Sequence, residues 1–283
     1  MTTITAKVIR HSSAPGIPDL ITMELTYNRF IHAEFMTHRE FSRNASSSRA
    51  IPVAKQLQMI IDDPAAPEVW GSNKPGMQAG DELTGFKLWA AKRLWGLACR
   101  TNVLFARAMN ALGVHKQIVN RLCEPYAHIK VLVTSTNWSN FLALRDHPDA
   151  QPEIRILAKA VRKALLLSTP NRLKVGEWHL PYVALDEQLN YELDACLQMS
   201  VARCARVSYV GFDGKSDPAK DFKLFTQLVG GDPKHASPTE HQAQAIDHRA
   251  SVDITGNFRG WAQYRKTIEN EAYLNPNHWK YAE

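Results

Sequence analysis

Apolar residues that recur every three or four positions dominate this chain, and this spacing constrains its fold more than any other feature. One apolar stripe consists of Ile154, Leu157, Ala158, Val161 and Leu165, which share one face of a helix. Pro152 would occupy the first turn of this helix, with Asp149 as its N-cap. Similar patterns predict helices over 83–112, ended by Gly113, over 115–123, before Arg145, within 196–212 and around 222–229.

Strand patterns occupy a smaller part of the chain. Ile21, Met23, Leu25 and Tyr27 alternate with other residues, which indicates a strand followed by a turn and a short helical stretch. Residues 54–80, with several prolines and glycines, are expected to be irregular, and 168–190 to form loop and short strand. No linker divides the chain, so we expect a single catalytic domain over residues 1–283.

Bulk properties exclude several classes of protein. No apolar run is long enough to span a bilayer, and the N-terminus lacks the apolar middle of a secretion signal, so we expect a cytoplasmic protein with no membrane partner. The cysteines Cys99, Cys123, Cys196 and Cys204 form no C-x-x-C pair, and we expect reduced thiols and no metal. The net charge of +6 suits an anionic ligand such as a nucleotide or nucleic acid.

Residues 37–51, THREFSRNASSSRAI, concentrate cations and hydroxyls around a single aromatic residue, Phe41. Small hydroxyls let a ligand approach the backbone, and arginines offer forked donors suited to phosphate. If residues 42–49 were helical, Ser42 and Arg49 would share a face. A nucleic-acid site would carry more aromatic residues for stacking, so a phosphate-bearing small molecule is favoured. A solvated serine-rich loop is the alternative interpretation.

The spacing of these residues resembles the signature of the flavin-dependent thymidylate synthases, R-H-R-x-x-S-x-N-E-x-S-x-R-Y. The matching positions are His38, Arg39, Ser42, Asn44, Ser47 and Arg49, and the departures are Thr37, Ala45 and Ala50. Further matches follow in the family order: Arg121 and Pro125, Asn137, NFLALR at 140–145 and AQPEIR at 150–155. An arginine that the family usually carries between Asn137 and Asn140 has no counterpart.

Two more family motifs lie at the far end of this chain. ARVSY at 205–209 and HASPTEH at 235–241 resemble segments that family members carry upstream of the signature. The chain therefore resembles a divergent, circularly permuted member, as proteins tolerate when their termini lie close together. The resemblance implies an α+β fold, with a mixed or antiparallel sheet flanked by helices in an αβα roll. Residues 196–270 would fold into the same domain as residues 20–160.

The implied reaction is reductive methylation of dUMP at C5, which gives dTMP. The carbon would come from 5,10-methylene-tetrahydrofolate and the hydride from reduced FAD, with NADPH as reductant. Because the cofactors carry the difficult chemistry, the protein needs no nucleophile. The resemblance also implies a homotetramer with sites between subunits, and a small-molecule substrate rather than nucleic acid.

The resemblance assigns roles to individual residues. Arg145 would lie against the pyrimidine ring and stabilise charge on the base oxygens, and His235 would lie near the folate and flavin rings. The implied flavin ligands are His38, Arg39, Asn44, Asn137, Asn140, Ser208, Ser237 and Glu240. The implied nucleotide ligands are Glu34, Ser47, Arg49, Arg121 and Arg145. Asn137 and Asn140 would share one helix face, and His241 would be structural.

Two alternatives remain open. Glu34 stands where the family usually has glutamine, and a carboxylate could accept a hydrogen bond from a cytosine amino group. Methylation or hydroxymethylation of dCMP is therefore a second candidate reaction. A non-catalytic relative that binds nucleotides or nucleic acid is the alternative from another class of protein.

Overall fold

A computed structural model describes residues 3–207, 217–231, 234–247 and 254–269. The strands in these ranges are β1 (Thr5–Ala14), β2 (Ile17–Asn28), β3 (Ser42–Ala45), β4 (His128–Ser135), β5 (Asn171–Arg172), β6 (Trp178–His179), β7 (Ala243–Ala245) and β8 (Trp261–Gln263). The α-helices are α1 (His32–Phe35), α2 (Val53–Asp62), α3 (Gly85–Ala111), α4 (Lys116–Val119), α5 (Ser139–Arg145), α6 (Pro152–Leu166), α7 (Leu185–Asn190), α8 (Leu193–Arg206) and α9 (Pro218–Val229).

Five of the strands form a mixed sheet in the order β3-β4-β2-β1-β5. β1 and β2 form a long antiparallel hairpin, whose turn contains Pro15 and Gly16. Gly16 has a φ of +76°, a left-handed conformation that glycine adopts without a steric penalty. β4 pairs antiparallel with β2 and β3, and β5 joins β1 in parallel. The predicted α+β class with a mixed sheet is confirmed.

Helices cover both faces of this sheet. On one face, Ile154, Leu157 and Val161 of α6 are buried against Met23 and Val131. On the other face, Cys204 and Val207, at the end of α8, pack against Leu132. The helix, sheet and helix layers agree with the αβα arrangement that the resemblance implies.

A second cluster buries α2 and α3 against the segment that precedes β4. Val53, Leu57 and Ile60 of α2 lie against Cys99 and Val103 of α3. Residues 46–52 connect β3 to α2, so the packing of α2 in this cluster fixes where the serine-rich motif ends.

The C-terminal part of the chain forms a small antiparallel sheet in the order β6-β7-β8. Trp261 and Phe258 pack against Leu20 of β2. The small sheet therefore sits against the large one, and it brings residues 235–247 and 254–267 to the signature. In the described ranges, no helix combines the length and apolar character needed to cross a bilayer.

The predicted helices are largely present, but several local predictions are wrong. Residues 42–45 form a strand, so Ser42 and Arg49 do not share a helix face. Residues 54–62, expected to be irregular, belong to α2, whose buried Val53, Leu57 and Ile60 have helical spacing.

The structure also corrects predictions at helix ends. The N-cap of α6 is Gln151 rather than Asp149; the Gln151 Oε1 atom accepts from the Ile154 N–H at 3.1 Å. The helix expected over 115–123 is α4 followed by a 3-10 turn, Asn120–Tyr126. The sequence patterns also missed α7 in the predicted loop 168–190.

Candidate functional site

Arg145, the last residue of α5, joins the helix to the segment that precedes the signature strand. Its Nε atom donates to His38 Nε2 at 3.0 Å, and its NH1 atom donates to the Glu34 carboxylate. The NH2 atom makes a longer contact of 3.4 Å with Thr37 Oγ1. Because α1 and the turn after it present all three partners, the sequence-distant motifs meet at one guanidinium group.

His38 is held as a neutral ring beside this guanidinium. The side chain is buried, with Phe141 at 5.0 Å and Phe41 at 5.9 Å between ring centroids. Burial, and then the charges of Arg145 and Arg43, lower the pKa of His38 to about 4. Since Nε2 accepts from Arg145, the neutral ring carries its proton on Nδ1. His38 therefore orients Arg145 and does not supply a proton at neutral pH.

Glu34 and Arg145 line a cavity of about 770 Å³. The lining also includes Arg155 and Lys159 of α6 and residues 77–80 of a loop. The Arg155 Nε atom is buried and has no hydrogen-bond partner among the described residues. The cavity thus combines three cations with two carboxylates, Glu34 and Asp149, a composition suited to an anionic ligand that also carries polar edges.

The C-terminal motif lies against the signature strand. Gln263 Nε2, in β8, donates to Ser42 Oγ at 3.1 Å and to the Glu240 carbonyl at 3.2 Å. The Glu240 carboxylate pairs with Arg265. Asn44 Nδ2 donates to the Cys204 carbonyl at 2.8 Å, which ties the signature to the end of α8. Segments that are far apart in sequence therefore meet at β3.

Behind β3, a chain of buried hydroxyl and imidazole groups crosses the sheet. His241 Nδ1 lies 2.8 Å from Thr134 Oγ1, which is 2.7 Å from Thr22 Oγ1. Thr22 continues to His179 Nε2 at 2.8 Å, and His179 Nδ1 lies 2.9 Å from Ser12 Oγ. All five side chains are fully buried. These hydrogen bonds attach the C-terminal segment to the sheet, which agrees with the predicted structural role of His241.

The remaining nucleotide candidates lie at the other end of the signature. Asn120 Nδ2 donates to the Ser48 and Ile51 carbonyls at 2.7 and 3.0 Å. These bonds hold the residues next to Arg49 and Arg121 together. Both arginines are exposed, and neither has an ion-pair partner in the described part of the chain. Ser47 is partly exposed in the same turn.

The remaining flavin and folate candidates are mostly accessible. Arg39, Asn140, His235 and Ser237 are exposed. Ser208 lies outside the described residues.

Asn137 lies ahead of α5 rather than on the face of Asn140. Its Oδ1 atom accepts from Ser139 N and Oγ, and its Nδ2 atom donates to Glu40 at 2.6 Å.

Sequence patterns missed several residues that complete these contacts. Glu40 binds both Asn137 and Arg259, and Gln263 and Arg265 hold Ser42 and Glu240. Glu40 follows the matched His38-Arg39 pair, but no residue type marks it as special. Gln263 stands between the aromatic residues Trp261 and Tyr264, and only the tertiary fold reveals its partner.

The described residues hold no cluster of three or more histidine, cysteine, aspartate or glutamate side chains that could bind a metal ion. The four cysteines are buried and form no disulfide. Burial raises the pKa of Cys123 to about 11, so this thiol is a poor nucleophile near neutral pH.

Comparison with known proteins gives one family match. The family model described as thymidylate synthase complementing protein matches residues 11–171, which is more than half of the 283 residues. No match is found among curated proteins. Similar solved structures include the UMP/dUMP methylase PolB from Streptomyces cacaoi bound with 5-Br dUMP, with 13% sequence identity and a TM-score of 0.46 over 58% of this chain and 90% of that chain.

The same methylase bound with 5-Br UMP is 14% identical, with a TM-score of 0.46 over 58% of this chain and 89% of that chain. The family match itself spans the hairpin β1–β2, the signature, α5 and α6, and includes the contacts of Arg145 with Glu34 and His38. The chain therefore belongs to the thymidylate synthase complementing protein family.

Proposed function

We propose that this protein methylates C5 of a pyrimidine nucleotide 5′-monophosphate in a flavin-dependent reaction. The substrate implied by the family resemblance is dUMP, with dTMP as product, and dCMP is the second candidate. When bound, reduced FAD would supply the hydride and 5,10-methylene-tetrahydrofolate the carbon, with NADPH as reductant. The observation that carries the proposal is the convergence of Glu34 and His38 on Arg145, at a cavity that Glu34 and Arg145 line, in a chain of this family.

Arg145 would contact the base. Its orientation is set by His38 and Glu34 before a ligand arrives, so no reorganisation is needed when negative charge grows on the base oxygens as C5 reacts. A surface arginine stabilised only by the helix dipole would not need three side-chain partners. The geometry favours a role in the reaction over a role in the helix end.

Ser47, Arg49 and Arg121 would bind the nucleotide phosphate. The two arginines are exposed, and the Asn120 hydrogen bonds hold their segments together. Arginine donates two parallel hydrogen bonds to a phosphate. The pair therefore fits a monoanionic or dianionic phosphate group at the protein surface.

The exposure of two side chains that are expected to bind FAD is compatible with a bound cofactor. Arg39 and Asn140 are exposed, and the described ranges give neither side chain a hydrogen-bond or ion-pair partner. An exposed cation suits the diphosphate of a dinucleotide, and an amide suits a ring edge. Asn137, Ser237 and Glu240 would complete the flavin site, and His235 would lie near the folate. Asn44 and His38, whose side chains are buried, would line the flavin region.

The predicted homotetramer is supported by an exposed apolar face on α3. Its exposed large side chains are Phe86, Trp89, Leu94, Leu97, Leu104 and Phe105. Many exposed apolar side chains along one helix are uncommon on a monomer and mark an interaction surface. We infer that copies of the chain associate through α3, which would allow sites between subunits.

The test is turnover by the purified protein with FAD, NADPH and isotopically labelled methylene-tetrahydrofolate. Product is identified by mass spectrometry with dUMP and dCMP in parallel. The proposal predicts a protein with visible flavin absorption and label at C5 of a nucleotide, and the label is lost when NADPH or methylene-tetrahydrofolate is omitted. A colourless protein without turnover that retards oligonucleotides would instead support the non-catalytic alternative.

A further inference from the structure

Glu34 and Arg145 present opposite hydrogen-bonding groups side by side in the cavity. A carboxylate paired with arginine only accepts, and a guanidinium group only donates. Arg145 Nε is occupied by His38 at 3.0 Å, which fixes the plane of the guanidinium group. The NH1 atom contacts Glu34, and NH2 makes only the 3.4 Å contact with Thr37. The edge formed by NH1 and NH2 therefore lies beside the carboxylate.

Along this edge lie one acceptor, the Glu34 carboxylate, and then two donors, the NH1 and NH2 groups of Arg145. Cytosine carries the complementary order on its pairing edge: the N4 amino donor, then the N3 and O2 acceptors. Uracil carries acceptor O4, donor N3–H and acceptor O2. In the same register, uracil would set O4 against the Glu34 carboxylate and N3–H against the Arg145 guanidinium group. If uracil shifts by one position, its N3–H faces the Glu34 carboxylate and its O2 faces the guanidinium group. It then makes two contacts, whereas cytosine makes three.

We propose that Glu34 and Arg145 together select cytosine, so that dCMP is the nucleotide that this site takes. This inference rests on the proposed function, because it concerns the base bound at the same site. The side chains of Glu34 and Arg145 are about 32% and 19% exposed. Both side chains are thus largely shielded from water and still open to the cavity. An unmatched polar group there costs more binding free energy than it does at an exposed surface.

The experiment compares dCMP and dUMP by isothermal titration calorimetry on the wild-type protein and on Glu34→Gln. An amide carries both a donor and an acceptor, so the variant no longer rejects O4. One lost or mismatched base contact changes affinity by roughly 10-fold. We expect the wild type to bind dCMP roughly 10-fold more tightly than dUMP, and the variant to lose or reverse this preference.

Glu177→Gln is the matched control, because its carboxylate is exposed and accepts from the backbone of its own loop at Lys174. This variant should keep the wild-type preference. The ratio of the two affinities is measured on one preparation, so partial loss of folded protein does not change it.

The outcomes separate the inference from the proposed function. Equal binding, or tighter binding of dUMP by the wild type, overturns the cytosine assignment and leaves pyrimidine methylation intact. An unchanged preference in Glu34→Gln also overturns it, since the carboxylate would then not read the base. Failure of the wild type to bind either nucleotide overturns the proposed function itself.

Discussion

Arg145 shows how one residue can connect motifs that are far apart in sequence. Its guanidinium group contacts residues 34, 37 and 38, more than one hundred positions away. The family spacing predicted Arg145, Glu34 and His38 as site residues, but not their mutual contacts. Those contacts depend on how α5 packs beside α1, which a linear motif does not encode.

Arg145→Ala should abolish methyl transfer while flavin stays bound, because the cation beside the base is lost and the flavin contacts are not. Turnover of labelled folate and the visible flavin absorption measure the two effects separately. Arg145→Lys should rescue little, since lysine keeps the charge but lacks the planar fork. Arg162→Ala, which removes an ion pair of α6 with Asp146, is the control. Turnover retained in Arg145→Ala would remove the assigned role.

Arg49→Ala should raise the KM for the nucleotide and change kcat less, because a charge-assisted contact to phosphate is lost. Such a contact contributes about 1.5–3 kcal/mol, which corresponds to roughly 10-fold to 100-fold in KM. Steady-state kinetics measure this change. Arg172→Ala replaces another exposed arginine, and it should leave KM unchanged. An unchanged KM in Arg49→Ala would show that the phosphate binds elsewhere.

At the level of elements, hydrophobic periodicity predicted the helices better than the strands. The helix α6 follows from its apolar stripe, and Pro152 occupies its first turn. The strand β3 has no such signal, because Ser42, Arg43 and Asn44 are polar; its conformation comes from pairing with β4. The hairpin strand β1 was missed because TAKVIRHSSA mixes apolar and polar residues without regular alternation.

Leu157→Ala should destabilise the protein by about 2–5 kcal/mol, because it leaves a cavity between α6 and the sheet. Leu157 is fully buried, whereas Leu166 on the same helix is 79% exposed. Leu166→Ala should therefore change the free energy of unfolding by less than about 0.5 kcal/mol. Urea denaturation of both variants checks the difference, and similar losses in the two would contradict the observed packing of α6.

At the level of the whole molecule, the notable feature of α3 is its set of large apolar side chains exposed to solvent. If copies of the chain associate through this helix, Leu97→Lys combined with Leu104→Lys should convert the oligomer to a smaller species. Light scattering after size-exclusion chromatography measures the mass. Leu166→Lys, at a still more exposed leucine on α6, is the control. A wild-type monomer, or a double variant with unchanged mass, would exclude association through α3.

Stability should fall as the pH is lowered from 6.5 towards 4. Burial lowers the pKa of His38 and His32 to about 4 and of His241 to about 3, and it holds the pKa of His179 well below 6.5. In this range the unfolded chain binds more protons than the native one, so the free energy of unfolding decreases as the pH falls.

Denaturation midpoints measured across this pH range test the expectation. His32→Gln should show a shallower pH dependence than the wild type, because one histidine with a lowered pKa is removed. The exposed His147 offers the control His147→Gln, which should keep the wild-type slope. A flat profile above about pH 5, where carboxylates contribute little, would contradict the buried neutral histidines.

The docking of the C-terminal segment on the sheet has a consequence for biosynthesis. Ser42 and Thr134 lie in strands that are synthesised well before their partners Gln263 and His241, which follow 221 and 107 residues later. A nascent chain that has emerged only as far as α8 would hold these sheet hydroxyls without those partners. Completion of this interior must therefore wait until residues 241–263 have left the ribosome, and a product truncated before residue 241 would lack these hydrogen bonds.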